Sequence, residues 1–244
     1  MDYKIIIYIV FGVLPSLVWL FYYLRKDVHP EPKRMIIRMF LWGALITIPV
    51  FFVQLGMTTM LNGFEINVVL KNLIYWILVI ALSEELFKYI VVRVKALGSL
   101  HLDEPLDIML YMVVVALGFA ALENILYLLA PVGTISLDQL MGRTLIVAFI
   151  RFVGATFLHT LCSAVIGYFM AISSCEVKFK KTFIVVGITI AVLLHGLYDF
   201  SIMTLEGYTK LAVPAIIIIT LAFMVFAGFE KLKKLKGVCK IEKQ

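Results

Sequence analysis

The amino-acid sequence predicts an all-α, polytopic membrane protein, a helical bundle of about seven transmembrane helices. Three observations lead to this fold class: 63% of the 244 residues are hydrophobic, the mean hydropathy is +1.03, and only 16% of the residues are charged. A typical soluble domain is about 45–50% apolar and about 25% charged. Because one water-soluble core could not bury this much apolar surface, the composition argues against an ordinary soluble protein.

Seven apolar stretches are long enough to cross a bilayer, which takes about 20 residues of helix. The predicted spans are Tyr3–Leu24, Met35–Thr58, Val68–Val92, Leu106–Leu129, Thr144–Ile172, Thr182–Met203 and Leu211–Phe229. The first stretch has no cleavage-like small-residue site ahead of Arg25, so we expect it to be retained as a span. The chain is therefore predicted to be a single integral-membrane domain, residues 1–244.

The basic residues predict how these spans are oriented. Of the 22 Lys and Arg residues, sixteen fall in the first, third and fifth connections and the C-terminal tail, and four on the opposite side. The excess of positive charge marks the cytoplasmic side, so the N-terminus is expected outside and the C-terminus in the cytoplasm. The net charge of +6, with a basic tail at 230–244, indicates contact with anionic lipid rather than with nucleic acid.

The candidate functional side chains within the spans come from four consecutive helices, and the first, second and seventh spans contribute almost nothing ionisable away from their ends. They are Glu84, Glu85 and Lys88 in the third span, Glu123 and Asn124 in the fourth, Arg151 and His159 in the fifth, and His195 and Asp199 in the sixth. Each charge at a helix centre costs roughly 2.5–3.5 kcal/mol on insertion scales. Such residues usually face a protein interior or a wet cavity and have a function there.

The spacing of the third-span residues predicts different partners for its two glutamates. Lys88 lies four positions after Glu84 and three after Glu85, so either carboxylate can reach it. Since one lysine neutralises only one carboxylate, we expect one glutamate to bind Lys88 and the other to face water as a general base. In the sixth span, Asp199 lies four positions after His195 and could orient that ring or contact substrate.

Counting along straight helices places these residues at different depths in the membrane. At about 1.5 Å per residue, Glu123 and Arg151 lie roughly 9 and 12 Å from the outer face, and Glu84 roughly 12 Å from the cytoplasmic face. A single site therefore requires tilted helices or shifted boundaries.

A glutamate with two histidines suits hydrolysis. The glutamate takes a proton from water while the histidines stabilise the oxyanion formed on a peptide carbonyl. The same side chains could instead bind Zn²⁺, with His159, His195 and Glu123 as ligands. A cysteine nucleophile at Cys162 is weakly supported, there is no HExxH motif, and the three cysteines show no spacing that predicts a disulfide framework.

The order of these motifs resembles that of the PrsW-type intramembrane proteases, a group related to the CAAX prenyl endopeptidases and the bacterial CPBP proteins. The resemblance covers about residues 83–201. Its motifs are Glu84-Glu85-x-x-Lys88, Phe119-x-x-x-Glu123-Asn124, Arg151 with His159 eight positions later, and His195-x-x-x-Asp199. The CAAX enzymes would have EExxxR and FxxxH, so glutamate at position 123 argues against a CAAX substrate. Asp107 and Tyr111 also lie at positions that match the family, but the glycines that the family has beside them are missing here.

The resemblance implies site-1 cleavage of a membrane-anchored anti-sigma factor, a single-pass substrate whose processing releases a stress-response sigma factor. It implies catalytic helices at about 68–203, in which Glu84 or Glu85 activates water and His159 and His195 bind the oxyanion or a metal. Lys88, Glu123, Asn124, Arg151 and Asp199 would support them. A proton- or ion-coupled transporter and a non-catalytic scaffold that binds a client helix are the alternatives.

Overall fold

The structure, a computed structural model, describes residues 3–26, 29–99, 102, 104–130, 137–175 and 179–235. Helix α3 is continuous but has three segments, Val68–Ile74, a π-helical stretch Tyr75–Ala81, and Leu82–Lys95. The other helices are α1 Tyr3–Leu24, α2 Lys33–Asn62, α4 Pro105–Leu128, α5 Leu137–Val153, α6 Ala155–Cys175, α7 Lys180–Thr204 and α8 Thr209–Lys234. The described residues include no β-strand, which confirms the predicted fold class.

Six helical stretches are long and apolar enough to span a membrane, and the charged helix α3 is a seventh long helix. The predicted span Thr144–Ile172 lies within one apolar stretch, Asp138–Cys175, in which α5 and α6 are separated only at Gly154. A Cβ atom at Gly154 would lie 2.5 Å from Tyr198 Oη and 2.9 Å from the carbonyl oxygen of Ile150. Glycine thus permits the close contact with α7 at this break.

Helix α4 is the centre of the bundle. It is apolar around its circumference and buried along almost its whole length, as expected of a helix surrounded by others. Pro105 occupies its first turn, and Glu104 and Asp107 form a reciprocal capping box, in agreement with the predicted helix start.

Two glycines let α2 cross α4 at short distance. A Cβ atom at Gly43 would overlap the carbonyl group of Val115, and one at Gly118 would overlap that of Phe40. Small residues at such crossings allow backbones to approach closely, which is a main source of helix association in lipid. The crossing fixes α2 against the helix on which the rest of the bundle packs.

One end of the bundle carries most of the described basic residues, and we call it the basic face. It contains Arg25, Lys26, Lys33, Arg34, Arg38, Arg93, Lys95, Lys180, Lys181, Lys231, Lys233 and Lys234. Residues 236–244 of the predicted basic tail lie outside the described residues. The assignment of the basic face to the cytoplasm stays a prediction.

The helix crossing at Gly43 predicts a position-specific effect of a single methyl group. Gly43→Ala should lower the free energy of unfolding by about 1–3 kcal/mol, because the backbone of α4 would have to move. Gly56→Ala in the same helix is the matched control, since a Cβ atom there has no neighbour within 4 Å. Thermal unfolding of the two purified variants in detergent measures the difference, and equal melting temperatures would contradict the crossing.

Candidate active site

The polar residues of the spans converge in one region between α3, α4, α5, α6 and α7, which we call the polar cluster. Its members are Glu84, Glu85, Lys88, Glu123, Asn124, Arg151, His159, His195 and Asp199. All but Glu123 and Asp199 are buried. The structure therefore brings together every site residue named from the sequence.

The π-helical stretch of α3 leads directly into the two glutamates. π-Helical turns are rare and occur frequently at functional sites. Here the stretch packs against α7 at Gly196, where a Cβ atom would lie 2.7 Å from Ile77 Cα. Gly196 follows His195, so this contact sets Glu84 and Glu85 beside that histidine.

Lys88 is the cation at the centre of the polar cluster. Its Nζ donates to Glu85 Oε1 at 2.8 Å and to His159 Nδ1 at 2.9 Å, and it lies 4.3 Å from the centroid of the Phe119 ring. An ammonium group has only donors, so His159 Nδ1 is the acceptor. The ring proton of His159 is then on Nε2, which donates to Glu123 Oε2 at 2.9 Å.

Glu85 has partners for both carboxylate oxygens. Its Oε1 accepts from Lys88 and from His195 Nδ1 at 3.0 Å, and its Oε2 accepts from Ser163 Oγ at 2.8 Å. A carboxylate bound in this way is held in one orientation and has little capacity left for a reactant. Glu85 thus serves to position Lys88 and His195.

Glu84 differs, because one of its oxygens has no hydrogen-bond partner. Gln54 Nε2 donates to Glu84 Oε1 at 3.1 Å. Glu84 Oε2 is buried and unbonded, 3.7 Å from His159 Nδ1, 3.8 Å from His195 Nε2 and 3.7 Å from Lys88 Nζ. An unsatisfied buried acceptor is destabilising, so this oxygen marks a position for a water molecule or a cation.

His195 presents one ring nitrogen to the same position. Because its Nδ1 is engaged by Glu85, its Nε2 is directed towards Glu84 Oε2 and towards Asp199 Oδ2, which lies 3.3 Å away. The rings of His159 and His195 lie edge to face with centroids 5.0 Å apart. Two imidazoles and one carboxylate oxygen therefore surround a single small space.

The outer part of the polar cluster is an ion pair that supports His159. Arg151 Nη2 lies 2.5 Å from Glu123 Oε2, and Arg151 Nε donates to Asn124 Oδ1. The side chains of Glu123 and Asp199 are 31% and 23% exposed, whereas those of Glu84 and His195 are 5% and 2% exposed. The polar cluster is thus open on the side of Glu123 and Asp199.

The donor atoms around Glu84 fit a metal ion. Glu84, His159 and His195 each offer one ligand atom, and these atoms lie within 4.8 Å of one another. Two imidazole nitrogens and a carboxylate oxygen are ligands that Zn²⁺ takes in proteins. Glu123, which the sequence predicts as a ligand, is not one of them: it contacts the far nitrogen of His159, where carboxylates commonly orient metal-binding histidines.

Sequence reasoning missed two residues that hold the glutamates. Gln54 is the one amide side chain of the second span, and Ser163 lies four positions after His159 on the same face of α6. The polar character of Gln54 and the spacing of Ser163 were the available signals. Of the cysteines, Cys162 is a buried free thiol, whereas Cys175 is disulfide-bonded, which the cysteine spacing did not predict.

Comparison with known proteins gives consistent matches. Residues 31–228 match the family described as "PrsW family intramembrane metalloprotease". The chain is 30% identical to protease PrsW of Oceanobacillus iheyensis over 85% of its own length and 88% of the relative. It is 27% identical to protease PrsW of Bacillus subtilis, over 93% and 94% of the two chains. No solved structure matches the chain.

The central ion pair predicts an asymmetric effect on stability. Lys88→Met should destabilise the protein by about 3–5 kcal/mol, because it leaves two buried carboxylates without a cation. Adding Glu85→Gln to this variant should restore part of the loss, since one uncompensated charge is removed. Lys95→Met, near the end of the same helix, is the control, and melting in detergent is the measurement. A double variant no more stable than Lys88→Met would contradict the pairing.

Proposed function

Because the chain belongs to the PrsW family of intramembrane proteases, we propose that its polar cluster hydrolyses a peptide bond of a membrane-anchored protein. The protein is a multi-pass membrane protease. Family membership favours this activity over the transporter and the non-catalytic scaffold that the sequence alone left open. The single observation that supports the site is the unbonded oxygen of Glu84, which faces two imidazoles in an otherwise satisfied polar network.

Glu84 is the residue proposed to activate water. A water molecule at its free Oε2 would donate one hydrogen bond to the carboxylate, which can take that proton as the water oxygen attacks a peptide carbonyl. Glu85 is less suited to this role because Lys88, His195 and Ser163 occupy both of its oxygens. Gln54 binds the other oxygen of Glu84 and so keeps Oε2 directed to the space between His159 and His195.

His195 is proposed to stabilise the charge that develops on the carbonyl oxygen, and His159, whose Nδ1 accepts from Lys88 while its Nε2 donates to Glu123, is proposed to hold Lys88 beside that site. A protonated His195 donates from Nε2, since its Nδ1 hydrogen is directed to Glu85. In the metal-dependent version of the site, Glu84, His159 and His195 would hold Zn²⁺, which supplies Lewis-acid polarisation of water and carbonyl. Lys88 would then give up its hydrogen bond to His159 Nδ1.

The substrate is proposed to be a single-pass protein of the anti-sigma factor type, on the resemblance of the motifs. We place its entry at the open side of the polar cluster, near Glu123 and Asp199, where a peptide can reach the buried groups. A relation of this family to the CAAX prenyl endopeptidases and the CPBP proteins is likewise proposed from the resemblance of the motifs. The proposed organisation is one membrane domain, residues 1–244, with catalytic helices at about 68–203 and a basic cytoplasmic tail at 230–244.

Cleavage by purified protein tests the catalytic assignment. In liposomes containing a single-span candidate substrate, Glu84→Gln should lose activity by about 10²–10⁴-fold, and His159→Ala and His195→Ala should lose it comparably. Glu85→Gln should retain more activity than Glu84→Gln, because it positions other groups. Crosslinking to the substrate should stay unchanged in Glu84→Gln.

The controls are Glu65→Gln and His29→Ala, which change the same residue types at exposed positions. Both should cleave as the wild type does. If all four cluster variants also cleave at the wild-type rate, the catalytic assignment is wrong.

The zinc content of the purified protein tests the metal-dependent version. Glu84→Gln, His159→Ala and His195→Ala should each abolish stoichiometric zinc, measured by mass spectrometry of the element after dialysis. Glu123→Gln should bind zinc about 10–100-fold more weakly, because it would lose an orienting contact and not a ligand. Glu206→Gln is the control. Zinc at wild-type levels in all three ligand variants would contradict this version, and a zinc-free active enzyme would favour direct stabilisation by His195.

A further inference from the structure

A cavity lies at the basic face, between α3, α4, α6 and α7. It is separate from the polar cluster. Its volume is about 470 Å³, within the range of sites for small molecules. We propose that this cavity binds the headgroup of an anionic phospholipid that carries free hydroxyl groups, as phosphatidylglycerol does.

Three cations surround the cavity. They are Arg93 at the end of α3 and Lys180 and Lys181 at the start of α7. The described residues that line the cavity include no carboxylate, and none of these cations forms an ion pair with any described residue. Three positive charges that no described carboxylate pairs with, placed around one cavity, favour an anionic occupant such as a phosphate group.

Two serines add acceptors for hydroxyl groups. Ser173 Oγ donates to the carbonyl of Met170 and Ser174 Oγ to that of Ala171, both at 2.7 Å. Their hydrogens are thereby used, and their remaining lone pairs can accept from a ligand. A glycerol headgroup supplies two hydroxyl donors beside the phosphate, so the phosphate can bind the cations while the hydroxyls donate to the serines.

The remaining walls favour a lipid over a soluble anion. Ile108, Met170 and Ile184 form apolar walls, and Val185 is 62% exposed on the outer surface of α7. The cations lie at the ends of spans, at the level expected for headgroups, and the apolar side continues to the lipid-facing surface. A phospholipid can therefore enter sideways, with its phosphate among the cations and its upper acyl chain on the apolar wall.

Native mass spectrometry of the purified protein, titrated with phosphatidylglycerol or phosphatidylcholine, tests this proposal. The wild type should retain one phosphatidylglycerol in preference to phosphatidylcholine. The triple variant Arg93→Gln, Lys180→Gln, Lys181→Gln should bind it on the order of tenfold more weakly or worse. The matched triple variant Arg25→Gln, Lys33→Gln, Lys234→Gln also removes one arginine and two lysines, but from the basic face outside the cavity. It should bind phosphatidylglycerol as the wild type does.

A volume change without a charge change provides a second test. Ile184→Trp should fill part of the cavity and also weaken retention of phosphatidylglycerol. Equal loss in both triple variants would show general attraction to the basic face and overturn the proposal, as would full retention in both cavity variants. Displacement of the lipid by an equal concentration of inorganic phosphate or of an acidic peptide would overturn it by identifying a soluble occupant.

Discussion

The polar cluster depends on one buried cation. Lys88 is fully enclosed and binds Glu85 and His159 while lying within 4 Å of Glu84. Buried charges are strongly destabilising unless they are paired and hydrogen-bonded, and lipid chains cannot replace a missing partner. The pairing accounts for Glu85 and His159 but leaves one oxygen of Glu84 unsatisfied. Because of this difference, Glu85 is interpreted as a positioning residue and Glu84 as the candidate reactive residue.

The rest of the bundle holds that arrangement in place. Helix α4 is buried on all sides and carries Glu123 and Asn124, and the glycine crossing at Gly43 and Gly118 fixes α2, which supplies Gln54 to Glu84. Each side chain around the free oxygen is thus oriented by a partner from another helix. Such support is what a preorganised site requires. The anionic-lipid cavity uses the same helices at the basic face but none of the residues of the polar cluster.

Composition and spacing were sufficient to predict the helical membrane fold and to name the residues that meet in the polar cluster. They did not predict how those residues reach each other. Straight-helix counting places them at different depths, whereas in the structure the side chains of Lys88, His159 and Arg151 connect residues at neighbouring depths. Gln54 and Ser163 were missed because uncharged polar residues in a span give a weak signal. Which glutamate binds Lys88 depends on the rotation of α3, and adjacent residues do not specify it.

A structure of the purified protein in lipid nanodiscs, determined by electron cryo-microscopy at a resolution that shows side chains, tests this account most directly. We expect Glu85 to be bound to Lys88, His195 and Ser163, with Glu84 facing His159 and His195 across a space that holds a water molecule or a metal ion. A map in which Glu84 binds Lys88 and Glu85 faces the imidazoles, or in which the two histidines point to separate surfaces, would contradict it.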